Sequence, residues 1–252
     1  MRNFVITSNR YSFLLEGYID FFKKNWSDDY PIDTVILGYD EPNVSLSSDF
    51  TFHSMGRQQD CEVWAEPLVT FFESIDDDYF LLSFEDHYKI KKVNMKRLEE
   101  GIQLMELGGV DKLYLQPDYS DRIISHYSGN WYTSDDHQTS YTSTSLLPSI
   151  WKREFFIKLL RNTIDNRGVN CHKPMHFERI NNNKSPLGCN TLLTKDVTIY
   201  ACLDAVRKGK YSTSIFQNFS RNGSGGDRPW MQNLTPSDIE IFHKMYVKWE
   251  NR

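Results

Sequence analysis

The apolar positions fall into short runs that each end in a polar loop. Phe4-Val5-Ile6 stops at Thr7-Ser8-Asn9-Arg10 and is followed by Phe13, Leu14, Gly17, Tyr18, Phe21 and Phe22 at helical spacing. This predicts strand, loop, helix. Thr34-Val35-Ile36-Leu37 with Gly38 behind it reads as a second strand, and Phe50-Thr51-Phe52-His53 with Gly56 behind it as a third. A helix is predicted from about Val63 to Ile75, where Trp64, Leu68, Phe71, Phe72 and Ile75 share a face and Pro67 is tolerated in the first turn. Tyr79-Phe80-Leu81-Leu82-Ser83-Phe84 is apolar on both alternating faces, the pattern of a central strand covered on both sides. A helix from Met95 to Leu107 ends at Gly108-Gly109, and Lys112-Leu113-Tyr114-Leu115 supplies another strand. Alternating strands and helices predict an α/β fold: a central, mostly parallel sheet flanked by helices.

The second half is less regular. Residues 118–145 are polar and aromatic, compatible with a hairpin around Ser128-Gly129-Asn130 or with a loop near the site. Ile150 to Leu160 reads as helical, Val197 to Tyr200 as β-like, and Gln217 to Asn233 as a flexible loop. Thr235-Pro236-Ser237-Asp238 places an N-cap, a proline at the first helical position and an acid in the first turn, ahead of an apolar stripe through Ile239, Phe242, Tyr246 and Trp249. No repeat or linker interrupts the chain. One domain over 1–252 is expected, with a nucleotide-binding half at 1–117 and an acceptor and sugar side at 118–252.

The strongest chemical feature is the apolar strand that emerges directly into Glu85-Asp86-His87. In open α/β sheets the ligand crevice lies at the strands' carboxyl ends. One or two carboxylates there suit Mg²⁺ or Mn²⁺ bridging a diphosphate. Asp86 and His87 are the candidate metal ligands, with Glu85 reaching a metal-bound water, the sugar or a supporting side chain. Strand alternation sets Glu85 and His87 on one face and Asp86 on the other, so only a bend lets both acids meet one metal. A solvated turn ahead of Lys89, Lys91 and Lys92 is the alternative.

Thr7-Ser8-Asn9-Arg10 reads as a loop whose amides and guanidinium meet a ribose, base or phosphate, or as a helix cap with a surface arginine. Gly56-Arg57-Gln58, with Asp60 and Trp64, reads as a second loop at the same edge, with Trp64 equally readable as core. Neither a G-x-G-x-x-G nor a Walker motif occurs. Glu178 reads as a general base for an acceptor hydroxyl or as a surface acid. Cys171, His172, His176 and Cys189 have a zinc-like composition, but Pro174 interrupts any helix between the histidines, and a structural or incidental reading is preferred.

Composition narrows the partners. The 252 residues carry a formal charge of −5, which gives no long-range attraction to nucleic acid or to an anionic membrane. Four cysteines without a CxxC pair, and no apolar run of membrane-spanning length, fit a soluble cytoplasmic protein.

In order along the chain, several motifs carry a family resemblance: Ile6-Thr7-Ser8-Asn9-Arg10-Tyr11, Lys24-Asn25-Trp26, Leu37-Gly38-Tyr39, Ser54-Met55-Gly56 and Asp78 through Tyr88. Ser149-Ile150-Trp151-Lys152-Arg153-Glu154-Phe155, Phe177-Glu178 and Val206-Arg207-Lys208-Gly209-Lys210 continue it, and together they span about four-fifths of the chain. This set resembles a group of phage and bacterial GT-A-type glycosyltransferases. The resemblance implies a single-domain GT-A (Rossmann-like) fold, a UDP-sugar donor, a Mn²⁺ or Mg²⁺ cofactor, and Glu85-Asp86-His87 standing in place of Asp-x-Asp. It also implies nucleotide contacts from Thr7, Asn9 and Arg10, with Trp151 and Glu178 on the sugar or acceptor side. A phage-encoded member would work in the host cytoplasm.

The resulting expectation is a hexosyltransferase using a UDP-sugar, with UDP-glucose the first to test and the acceptor a glycan, protein or small molecule. Donor-side residues are Thr7, Ser8, Asn9, Arg10, Gly38, Tyr39, Gly56, Arg57, Trp64, Glu85 and Trp151, and the catalytic carboxylates are Glu178 and Glu85. Two rivals remain at this level: a sugar-phosphate nucleotidyltransferase, and a non-catalytic glycan-binding module.

Overall fold

The computed structural model describes residues 1–58, 64–116, 124–134, 144–166, 174–183, 189–196, 199–207, 210–212 and 234–251. The predicted opening strands are β1 (Arg2–Ile6), β2 (Thr34–Gly38) and β3 (Phe50–Ser54), and the apolar hexapeptide is β4 (Tyr79–Phe84). Among the described residues, the largest sheet has nine strands in the order β3-β2-β1-β4-β9-β6-β10-β8-β7, adding β6 (Lys112–Tyr114), the hairpin β7 (Ile124–Ser128) and β8 (Trp131–Ser134), β9 (Ser149–Lys152) and β10 (Thr191–Thr194).

The first four strands run parallel, with Ile6 level with both Leu37 and Phe84. Beyond β4 the sheet is mixed: β9 lies antiparallel between β4 and β6, so a strand of the second half sits between two of the first. The sheet is therefore less parallel than its sequence pattern predicts. The predicted helix at Ile150 also starts late, because Ser149 to Lys152 fill the gap between β4 and β6 and the helix begins at Arg153.

Helices cover both faces, as the doubly apolar β4 requires. On one face, α1 (Leu15–Asn25), α3 (Met95–Gly108) and the terminal helix α6 (Pro236–Glu250) join Val5, Ile36, Leu81 and Ile150 in one core. On the other, α2 (Ala65–Glu73), α4 (Arg153–Asp165) and α5 (Pro174–Asn183) pack on Phe4, Ile6, Leu37, Phe80, Leu82 and Trp151. Successive strand residues thus feed opposite cores. The predicted cap of α6 forms a full capping box between Thr235 and Asp238. Pro174 starts a helix instead of breaking one, because a first-turn proline lacks only an amide that would be unpaired there anyway.

Two short ladders have no strand signal in the sequence. β5 (His87–Lys89) pairs antiparallel with β11 (Cys202–Asp204), and β12 (Val206–Arg207) with β13 (Lys210–Tyr211). The β-like signal at Val197 to Tyr200 is displaced: Val197 and Thr198 lie outside the described residues and the strand begins at Cys202. The loop expected at 217–233, and Asp60, Cys171 and His172, also lie outside them. Among the described residues no helix is long and apolar enough to cross a membrane.

Candidate functional site

The chain builds β1, β2 and β3 outward in one direction and then returns to place β4 on the other side of β1. The connections leaving β1 and β4 therefore part from each other, and in open α/β sheets this is the place where a ligand crevice forms. Thr7 follows β1 at that edge and Glu85 follows β4, and the Glu85 amide donates to the Ile6 carbonyl at 3.3 Å.

Asn9 holds three strand-end loops together. Its side-chain amide donates to Asp40 Oδ2 at 2.5 Å, its Oδ1 accepts from the Asp40 amide at 3.0 Å, and its own amide donates to Gln58 Oε1 at 3.0 Å. The Asn9 side chain thus shapes the rim, where a nucleotide contact was expected. Gly38 is needed at the same edge, since a Cβ there would lie 2.9 Å from both Phe52 Cε2 and Thr7 Cγ2. Thr7 is buried, while Arg10 and Arg57 are exposed. The Arg10 guanidinium lies 5.3 Å from the Tyr11 ring centre, and Tyr11 stacks on Trp249. Ser8 accepts from the Tyr11 amide, and the Tyr39 carbonyl accepts from Ser54 Oγ. Gly56 has φ +88°, a left-handed conformation that suits glycine, and its amide donates to the same Ser54 hydroxyl.

At the end of β4 the bend that the ligand set requires is present, because β5 pairs with β11 and not within the large sheet. Glu85 is only 5% exposed, and its Oε2 is buried without a hydrogen-bond partner. Burial, with the charge of Asp86 added, pushes its carboxyl well above the usual range. Burial likewise raises Asp86 to about 6, a rise opposed by His87 and reinforced by Asp204. The Val206 amide donates to the Asp86 carboxylate, and the Ala205 amide to its carbonyl at 2.8 Å.

His87 is placed differently from its expected role as a ligand. Its Nδ1 accepts from the Phe84 amide at 3.2 Å, and its Nε2 stands 3.8 Å from Asp86 Oδ1. With Nδ1 engaged by the backbone, only Nε2 is left towards Asp86. Among the described residues no three His, Cys, Asp or Glu side chains converge as a metal-ligand set. A cation here would rest on Asp86, with the unpartnered Glu85 oxygen in reserve, and would complete its shell from phosphate and water. The residues fit that demand: Mg²⁺ commonly keeps one or two carboxylates, and a cation would offset the cost of burying both acids.

Two expected sugar-side residues are elsewhere engaged. Trp151 is fully buried, its ring packed against Phe156 and Phe177 with Lys112 Nζ 4.1 Å from its centre, so it belongs to the core and not to the crevice. Its register with Phe80 sets it four residues before the end of β4. Glu178 accepts the Leu146 amide at 2.7 Å and so ties α5 to the segment that leads into β9. Trp64 meets the neighbouring Phe177 edge to face at 6.1 Å. The sequence pattern gives no role to Asp40 or Asp204, and it names Gln58 and Val206 without the contacts they make. Asp40 has a local signal, lying two residues beyond Gly38; Asp204 and Val206 reach Asp86 only through a pairing distant in sequence.

No protein-family model matches the chain, and no curated protein matches it. Among solved structures it is similar to A197 from STIV, at 16% identity over 82% of this chain and 87% of that one, with a TM-score of 0.42.

Proposed function

We propose that the protein is a glycosyltransferase that moves a hexose from a UDP-sugar to a hydroxyl acceptor, on a single-domain GT-A-type fold. The observation that carries this reading is the carboxyl pair Glu85-Asp86 at the end of a buried, largely apolar central strand, where the connections from β1 and β4 diverge. Acids are costly in such a place unless a ligand uses them. The loops after β1, β2 and β3 close the same edge and give a nucleotide backbone amides, Arg10 and Arg57.

Asp86 would hold Mg²⁺ or Mn²⁺, which when bound neutralises charge on the departing diphosphate. The Val206 amide fixes the direction of the Asp86 carboxylate. Glu85, whose carboxyl burial and the charge of Asp86 hold well above the usual range, would reach a sugar, a phosphate oxygen or a metal-bound water. The Asn9 bonds keep the rim of the crevice in one shape before ligand arrives, which lowers the ordering cost of binding.

A panel of nucleotide-sugars with Mn²⁺ or Mg²⁺, read by release of nucleoside diphosphate, tests the reading, with a UDP-hexose expected to score highest. Asp86→Ala should fold normally yet lose metal-stimulated UDP binding. Unchanged affinity and metal response in calorimetry would sink the site assignment. Pyrophosphate release from a nucleoside triphosphate and a sugar phosphate would turn the assignment to a nucleotidyltransferase, and glycan binding without turnover to a binding module.

A further inference from the structure

The two sides of the crevice belong to different stretches of chain. Glu85 and Asp86 follow β4, and the loop through Ser8, Asn9 and Arg10 follows β1. A cation on Asp86 and a nucleotide on that loop meet in one ligand only if the two sides keep their spacing. Residues that hold the spacing act on binding without touching the ligand.

One side chain spans the gap. Tyr88 lies in the ladder where it stands opposite Leu203, and His87 opposite Asp204. The same ladder brings the Ala205 amide to the Asp86 carbonyl at 2.8 Å and the Val206 amide to its carboxylate. From there the Tyr88 hydroxyl crosses to the head of α1 and donates to the Leu14 carbonyl at 3.1 Å. Leu14 closes a short 3-10 turn (Ser12–Leu14) behind the β1 loop. Its amide donates to the Tyr11 carbonyl at 2.9 Å, and the Tyr11 amide donates to the Ser8 carbonyl at 3.0 Å. A run of bonds thus leads from the acid side into the loop, which Asn9 in turn ties to Asp40 and Gln58.

The contact has no slack. Tyr88 is fully buried, with its ring against Phe21 and Phe242. Gly17 faces it from α1, where a Cβ would lie 2.6 Å from the hydroxyl oxygen. Leu14 is the N-cap of α1, so its carbonyl serves the first turn of the helix and still has a second lone pair for Tyr88. Any buried tyrosine needs a partner for its hydroxyl, and that alone gives it no part in binding. The place of this partner, at the head of the turn behind the β1 loop, is what links the hydroxyl to the site.

We propose that Tyr88 is a positioning residue that couples the cation side of the crevice to the nucleotide side through its hydroxyl on Leu14. The assignment rests on the donor site proposed above. Ligands that use one side are indifferent to the bond, and a metal-nucleotide that spans both depends on it. Coupling of this kind is read from a thermodynamic cycle.

Calorimetric titration of the whole protein with Mn²⁺ alone, with uridine alone, and with UDP in the absence and presence of saturating Mn²⁺ gives the factor by which the cation tightens UDP. Wild type, Tyr88→Phe and Gly17→Ala are compared with a control, Tyr79→Phe, whose hydroxyl donates to the Met105 carbonyl at 3.4 Å from the opposite end of β4. In Tyr88→Phe the factor should fall about threefold to tenfold, with Mn²⁺ alone and uridine alone within about twofold of wild type. Direct contact between cation and diphosphate accounts for the part that survives. Gly17→Ala displaces the same hydroxyl and should lower the factor too, while Tyr79→Phe should leave it as in wild type. An unchanged factor in Tyr88→Phe overturns the assignment. So does an equal loss in Tyr79→Phe, or a matching loss for Mn²⁺ alone or uridine alone, since each reports general loosening. Wild type whose UDP affinity does not respond to Mn²⁺ removes the donor reading and the coupling together. Wild type that responds, with no change on substitution, leaves the donor reading standing and removes the coupling alone.

Discussion

Asp86 ionises near the middle of the accessible pH range because the protein buries it and sets Asp204 close by. Its folded value of about 6 stands above the ordinary 3.8, so between those values the folded form keeps a proton that the unfolded form has released. Stability from this group is accordingly complete below the lower value and is lost as pH rises through the upper one. Asparagine at 86 keeps an acceptor for the Val206 amide and removes the charge. Asp86→Asn should exceed wild type in stability at about pH 8 by up to roughly 3 kcal/mol, the gap closing towards about pH 4. Urea titrations at both pH values read the difference directly, and an equal midpoint at the higher pH would show that the folded protein compensates the charge. A site that gives up stability in this way has the signature expected of a functional one.

At the scale of elements, the contact between α1 and β5 is the tightest near the crevice. A Cβ on Gly17 would lie 2.6 Å from Tyr88 Oη and 2.7 Å from its Cζ. Tyr88 has nowhere to go: Phe21 and Phe242 enclose its ring, and its hydroxyl donates to the Leu14 carbonyl. Gly17→Ala is therefore expected to destabilise by about 1–3 kcal/mol, a shift that guanidinium denaturation resolves. An unchanged midpoint would mean that α1 slides without cost. The same region shows what the sequence makes legible. β1 to β4, α1 and α6 stand out because each is a bounded run of apolar and β-branched residues or carries a 3.6 period, and α6 also has its own cap. β5, β9 and β11 do not, being too short for a period and specified by partners far along the chain. The site divides along the same line. Thr7 to Arg10, Gly38 and Glu85-Asp86 are punctuation at the ends of periodic runs. Asp204 and Val206 meet Asp86 through a ladder that no local pattern announces, and Trp151, read as a sugar contact, belongs to an interior that its motif alone did not reveal.

The molecule as a whole has two cores on one sheet, and every central strand contributes alternate residues to both. Neither core can be lost while the other keeps its strands. Unfolding should therefore be a single transition by every probe. Trp26 lies in one core and Trp151 in the other, so conservative Trp→Phe variants at each position allow the cores to be followed apart by fluorescence. Coincident midpoints, after correction for each variant's own stability, are expected; a separation between the two probes would reveal independent units.

The position of β9 has a consequence during synthesis. β4 gains β1 as a neighbour early, but its other edge is covered only by Ser149 to Lys152. While the ribosome makes the intervening residues, a growing chain holds a nearly assembled parallel sheet whose most apolar strand, Tyr79-Phe80-Leu81-Leu82-Ser83-Phe84, has an open side. Such an edge is an invitation to other nascent chains. The most protected strand of the finished protein is thus the one most in need of protection while the protein is being made, and chaperone demand should centre on the interval before Ser149 emerges.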